Sequence, residues 1–259
     1  MSQENPAPYQ SPSPPIIPTG QPPARPIFRP YATYVLIGTC VVVYLLQIST
    51  KAIFGYDIPA VWGIKANDLI MQGQVWRLLT AVFLHSDQTI LHIAFNMYAL
   101  FYIGPTLERF YGRRRYIALF LLGGFAGNVL SFMFTQAPSL GSSTAIFGLL
   151  AAEGVLFYQN REIFGGIARR AISQVVIIAV INLIIGATVP GIDNWGHIGG
   201  LLGGTFFAWF GGPLLQKQGL GPPFTLRDLR GTREAIIAGT GVGALFAFLT
   251  LAAIFTRLG

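Results

Sequence analysis

"GHIGGLLGG", residues 196–204, decides the fold. On an α-helix Gly196, Gly200 and Gly204 fall at four-residue steps, and Gly199 and Gly203 form an adjoining row. Such rows of small residues let helix backbones approach closely inside a bilayer. The same stretch carries a histidine, an expensive residue to bury in lipid unless it faces a protein interior or a wet cavity.

The rest of the chain has the same character. Of its 259 residues 53% are hydrophobic and only 10% are charged, where soluble domains carry about 25% charged residues. Seven apolar stretches, about 33–50, 90–107, 115–135, 143–159, 171–188, 197–214 and 235–256, are read as membrane spans, a span needing roughly 20 residues. The fourth and sixth are short and rich in small residues, which suits helices buried among others. The expected fold class is an all-α membrane protein.

Residues 1–32 are expected to be a disordered, Pro-rich cytoplasmic tail. They are polar where a secretory signal would be basic and then apolar. Residues 33–215 form the expected core, with a long outer loop at 51–89. Residues 216–234 are expected as a cytoplasmic loop and 235–259 as a seventh helix with a short tail. The outer loop is too apolar for plain coil, and "IPAVWGI" and "VWRLLTAVFLH" within it are expected partly as short helices at the outer leaflet.

Charge sets the orientation. Thirteen of the seventeen basic residues fall on one side, among them Arg109, Arg113, Arg114, Arg115, Arg169 and Arg170. The positive-inside rule makes that side cytoplasmic, with the N-terminus inside and the C-terminus outside. A net charge of +7 is explained by these loop arginines, so no nucleic-acid partner is expected. Arg113 to Arg115 read as an orientation signal first and as a contact for membrane lipids second. Cys40 is the only cysteine, so no intrachain disulfide is expected.

This topology gathers the polar residues. His92 and Asn96, in "LHIAFN", lie four apart on one helix face near the outer end of the second span. Ser143, in "GSSTAIF" (141–147), opens the fourth span at the same end, and His197 opens the sixth. His85 lies in the outer loop, where an exposed side chain is the plain reading. Ser142, Ser143 and Thr144 are all good helix N-caps, and Ser142 is expected to be the cap. A hydroxyl becomes a nucleophile when a base takes its proton. His197 is the base within reach if the fourth and sixth helices touch. His92, Asn96 and the backbone N–H of Ser143 are the donors available to an oxyanion. Asp193, four residues before His197 in a loop, is a weak third member, and a Ser–His dyad is preferred.

These segments carry a family resemblance. "GSSTAIFGL" resembles the Gly-x-Ser-Gly segment of rhomboid intramembrane serine proteases. "HIAFN" is similar to their His-x-x-x-Asn segment, "GHIGGLLGG" to their histidine helix, and "VWRLLTAVFLH" to the Trp-Arg stretch of their first outer loop. The resemblance covers about residues 33–215. It implies a rhomboid-like bundle of six core transmembrane helices plus a seventh C-terminal helix. It implies Ser143 as nucleophile, His197 as general base, and His92 and Asn96 in oxyanion stabilisation. Phe147 would pack on the histidine ring, Gly141 and Gly200 would support the site, and Arg77 and Glu108 would be structural. The implied partners are transmembrane segments of substrate membrane proteins, cleaved through an acyl-enzyme; no cofactor and no metal are implied. Two positions depart from the family pattern: Thr144 stands for a glycine, where its bulk would narrow the oxyanion hole, and Gly196 for an alanine.

Two other functions compete. One is a catalytically silent rhomboid-like protein that binds transmembrane clients, favoured by Thr144. The other is a zinc site of His85, His92 and His197, which leaves Ser143 and Asn96 unexplained. The absence of a transit peptide and the compact loops point to a prokaryotic plasma membrane.

Overall fold

The computed structural model describes residues 28–219 and 224–258. The tail expected over residues 1–32 therefore lies outside the described residues up to residue 27, and helix has already begun at Tyr31. In chain order the elements are α1 (Tyr31–Phe54), the short helices α2 (Ile58–Gly63), α3 (Asn67–Met71) and α4 (Arg77–Thr80), then α5 (Ile90–Phe134), α6 (Ser143–Gln159), the one-turn α7 (Arg161–Phe164), α8 (Gly166–Thr188), α9 (Asn194–Gly211), strands β1 (Leu215–Gln218) and β2 (Thr225–Asp228), and α10 (Thr232–Leu258). The strands form one antiparallel hairpin, Leu215 opposite Asp228 and Gln218 opposite Thr225. Helices α1, α5, α8 and α10 are long and apolar enough to cross a membrane. The chain is an all-α integral membrane protein with one small hairpin.

Helix α5 is two helices joined without a loop. Gly112, at φ 72° and ψ 159°, breaks it, a backbone state open to glycine. The limbs, residues 90–111 and 113–134, fold back on each other. A Cβ on Gly104 would lie 2.6 Å from the Tyr116 hydroxyl, whereas twelve residues of straight helix span about 18 Å. The two apolar stretches expected at 90–107 and 115–135 are these limbs.

Buried polar side chains close the helix ends. Glu108 is fully buried and accepts from the backbone N–H groups of Ala32 and Thr33 and from the Thr33 hydroxyl, at 2.8–2.9 Å. A carboxylate there meets both the free donors and the positive end of the α1 dipole. Residues 51–89 fold around similar contacts. Asp57 caps α2 by accepting from Ala60 N–H, and the Arg77 guanidinium donates to the Val61 and Ile64 carbonyls at 2.7 and 3.0 Å. The carbonyls that end α5 receive the Arg257 guanidinium (Phe132, Met133), the Asn67 amide (Phe132, Thr135) and the buried Lys65 ammonium (Thr135). At the arginine-rich end Arg115 pairs with Asp228 at 2.6 Å and ties the hairpin to α5.

Helix α9 sits between α6 and the second limb of α5, and its two glycine rows face different neighbours. A Cβ on Gly200 would collide with the Thr144 carbonyl oxygen, and one on Gly204 with the backbone of Gly148. A Cβ on Gly199 would lie 2.8 Å from the Gly127 Cα, and one on Gly203 would strike the Ala126 methyl. Backbone thus lies against backbone on both sides. Helix α8 is the opposite case: Ile177 and Ile184 are among many of its aliphatic side chains left exposed, as suits a lipid-facing helix.

Gly204→Ala is expected to lower the stability of the purified protein in detergent by about 1–3 kcal/mol, because neither backbone can yield to the added methyl. Gly38→Ala, with nothing within 4 Å of the new atom, is expected to be neutral or slightly stabilising, within about 1 kcal/mol. Thermal unfolding of the two variants side by side checks both.

Candidate active site

The close approach of α6 and α9 brings their first turns together. Ser143 Oγ lies 3.1 Å from His197 Nε2. These groups are 54 residues apart in the chain, and the glycine contacts one turn deeper hold them at hydrogen-bond distance. The His197 ring stacks flat on Phe147, with centroids 4.1 Å apart and planes 4° from parallel. Its other nitrogen, Nδ1, has no hydrogen-bond partner among the described residues.

Asp193 does not orient the imidazole. One carboxylate oxygen accepts from Gly196 N–H at 3.0 Å and from the Thr135 hydroxyl, and the other from the Ser131 hydroxyl. It is the N-cap of α9. Burial opposes its charge, but hydrogen bonds from Ser131, Gly196, Ser139 and Thr135 hold its carboxyl below the usual range. Asp193 therefore fixes the start of the helix that carries His197 and leaves the ring to Phe147.

His92 and Asn96 lie on the facing turn of α5. The Ser86 backbone N–H donates to His92 Nδ1 at 3.1 Å. In a neutral ring that bond puts the proton on Nε2, making it a donor. Gly141 packs against this atom: a Cβ there would lie 2.9 Å from His92 Nε2 and 3.7 Å from Ser143 Oγ. With φ at 130°, residue 141 is a glycine on both steric and conformational grounds. The Asn96 amide gives one N–H to its own helix, to the His92 carbonyl at 2.8 Å, and keeps a second.

Three expectations need correction. Ser142 stands at the N-cap of α6 but makes no side-chain cap; its hydroxyl meets His85 Nε2 at 3.2 Å. His85 is fully buried with its ring 5.4 Å from that of His92, where an exposed loop side chain was the plain reading. Burial, with the neighbouring His92 adding to it, lowers its pKa to about 4, so it is neutral at physiological pH. Thr144, expected to narrow the oxyanion hole, turns its side chain to Gly127 and Gly196 on two other helices. The three histidines do not share a metal-binding point: among the described residues no three His, Cys, Asp or Glu side chains converge as ligands.

One supporting residue was missed from sequence. Gln47 of α1 is buried; its amide donates to the His85 carbonyl at 3.0 Å and its oxygen accepts from the His85 N–H at 2.9 Å. This pair of bonds holds the loop that supplies Ser86 to His92. A lone amide in the apolar run "YLLQIST" (44–50) was the available signal, since such a group needs a partner in lipid.

Comparison with known proteins identifies the family. The chain is 39% identical over 180 residues to the rhomboid protease GluP of Bacillus subtilis (strain 168), a stretch covering 70% of this chain and 34% of that protein. It is 34% identical over 181 residues to RHOMBOID-like protein 9, chloroplastic, of Arabidopsis thaliana, covering 70% of this chain and 41% of the relative. RHOMBOID-like protein 5 of the same plant is 29% identical over 238 residues, 76% of each chain. The matched stretch thus spans less than half the length of the first two relatives. Residues 72–214, which include Ser143, His197, His92 and Asn96, match the Rhomboid domain, and with more than half of its length so matched the chain belongs to the rhomboid family.

Proposed function

We propose that the chain is an intramembrane serine endopeptidase that cleaves transmembrane segments of other membrane proteins. The observation that carries this reading is the 3.1 Å contact between Ser143 Oγ and His197 Nε2. As Oγ attacks the scissile carbonyl carbon, Nε2 takes the hydroxyl proton. The negative charge that forms on the carbonyl oxygen is met by His92 Nε2–H, the free Asn96 N–H and the Ser143 backbone N–H. Collapse of the intermediate expels the amine, which takes its proton from His197 and leaves an acyl ester on Ser143. Water then gives a proton to His197 and attacks the ester; His197 returns that proton to Ser143 as the acid product departs. No carboxylate joins the dyad, because Asp193 is engaged at the helix cap. The name of the Bacillus subtilis relative, a protease, supports the reading; the names of the plant relatives state the family without an activity.

The proposal extends to placement. The arginine-rich end, with the N-terminus, faces the cytoplasm, and the site end and C-terminus face outward, in a prokaryotic plasma membrane. Water reaches the site from outside. Residues 33–215 form the catalytic core, and 235–259 form the seventh helix and tail.

A purified single-span reporter mixed with the protein in detergent tests the reaction. Ser143→Ala and His197→Ala are each expected to lower the cleavage rate by about 10³-fold or more. Ser143→Ala is also expected to abolish labelling by a fluorophosphonate, whereas Ser142→Ala, one residue away, keeps it. Equal labelling of wild type and Ser143→Ala sinks the proposal and favours the silent client-binding alternative. Asn96→Ala is expected to reduce kcat by about 10- to 10³-fold with little change in KM, as loss of an oxyanion donor does.

A further inference from the structure

Thr144 follows Ser143 directly, and Gly196 precedes His197. These two neighbours of the reactive pair meet each other. A Cβ built on Gly196 would lie 3.0 Å from the Thr144 Cγ2 methyl. The other wall is Gly127, on the second limb of α5, where a Cβ would lie 2.5 Å from Thr144 Cβ and 3.0 Å from the same methyl. Thr144 is buried, and its hydroxyl has no hydrogen-bond partner among the described residues. Its contribution here is therefore its volume. The methyl fills a notch walled by two glycines on two other helices, at the level of the site.

We propose that Thr144 is a positioning residue: its methyl, seated against Gly127 and Gly196, sets how closely the first turn of α9 approaches α6, and so fixes the Ser143–His197 separation. One turn deeper, Gly200 rests on the Thr144 carbonyl and gives α9 a pivot. The methyl stops the first turn of α9, tethered at its start by Asp193, from tilting inward about that pivot. Removing it leaves a void that α9 can lean into, and an alanine at 196 overfills the same space. The two departures from the family pattern, a larger residue at 144 and a smaller one at 196, are then one exchange of volume across a single contact.

This inference rests on the proposed protease chemistry for its kinetic readout, and the test separates the two. The variants are Thr144→Ser, which removes the methyl and keeps the hydroxyl, Gly196→Ala, and the double variant. The new methyl of Gly196→Ala also meets Asp193, with the Asp193 Oδ2 3.0 Å away; that contact is common to the single and the double variant and cancels from the cycle. Fluorophosphonate labelling of the full chain in detergent is followed as a function of probe concentration. Each single variant is expected to lower the maximal labelling rate without moving the half-saturating concentration, and the double variant to label at least about tenfold faster than the product of the single effects requires. A double variant that follows that product overturns the proposal. Wild type that shows no labelling dependent on Ser143 removes the protease reading alone. The coupling is then read from melting temperatures of the same four proteins, where a double variant more stable than the sum of the single losses supports the steric lock and additive losses overturn it.

Discussion

Backbone contact between α6 and α9 is the constraint on which the rest depends. With Gly200 over the Thr144 carbonyl and Gly204 over Gly148, no side chain stands between the helices at these two levels to adapt if either one moves. At those levels the separation is fixed by main-chain atoms, the stiffest parts of the molecule, which leaves the first turn of α9 to be set by the side chains above them. A hydrogen bond between side chains on two separate helices can be no more reproducible than the packing beneath it. The second glycine row holds α9 to the second limb of α5, and the first limb of the same element carries His92 and Asn96. Three helices are thereby registered by one nine-residue segment.

A second feature follows from the low dielectric. Several polar groups near the site are tied to main chain: Gln47 to the backbone of residue 85, the His92 ring to Ser86 N–H, Asp193 to the first turn of α9. An unmade hydrogen bond costs more here than at a wet surface, and backbone groups are partners that do not rotate away. The ring of His197 is held differently, by stacking on Phe147. In the proposed reaction, where His197 receives a proton and gives it up, such a neighbour constrains the ring plane without competing for its nitrogens.

The helices were legible because their signal is local. The apolar stretches and the four-residue steps of glycine each lie within one segment, and the structure puts a helix on every one. The gathering of His92, Asn96, Ser143 and His197 was legible because depth in a bilayer adds a second coordinate to sequence position. What escaped was pairing. Ser142 reads as a cap from its place before α6, yet its partner is His85, 57 residues upstream. Asp193 reads as at most a weak third member beside a Ser–His dyad, and its bonds are those of a cap. The side chain of Thr144 reads as an intrusion beside the nucleophile, yet it points to glycines on two other helices. In each case the direction of the side chain, which sequence does not encode locally, decided the contacts it makes.

The bond from Ser86 N–H to His92 has one more consequence. Two imidazoles stand near the same hydroxyl, and as free amino acids they are chemically identical. A single amide from a loop residue commits one of them to offering hydrogen at its inner nitrogen, while the other meets the serine with a nitrogen able to receive one. Adding a proton to His92 would set two N–H groups head to head and push the loop away from the ring. The integrity of that loop and the electrical neutrality of this histidine are therefore one property, and the division of labour between the rings lasts as long as it does.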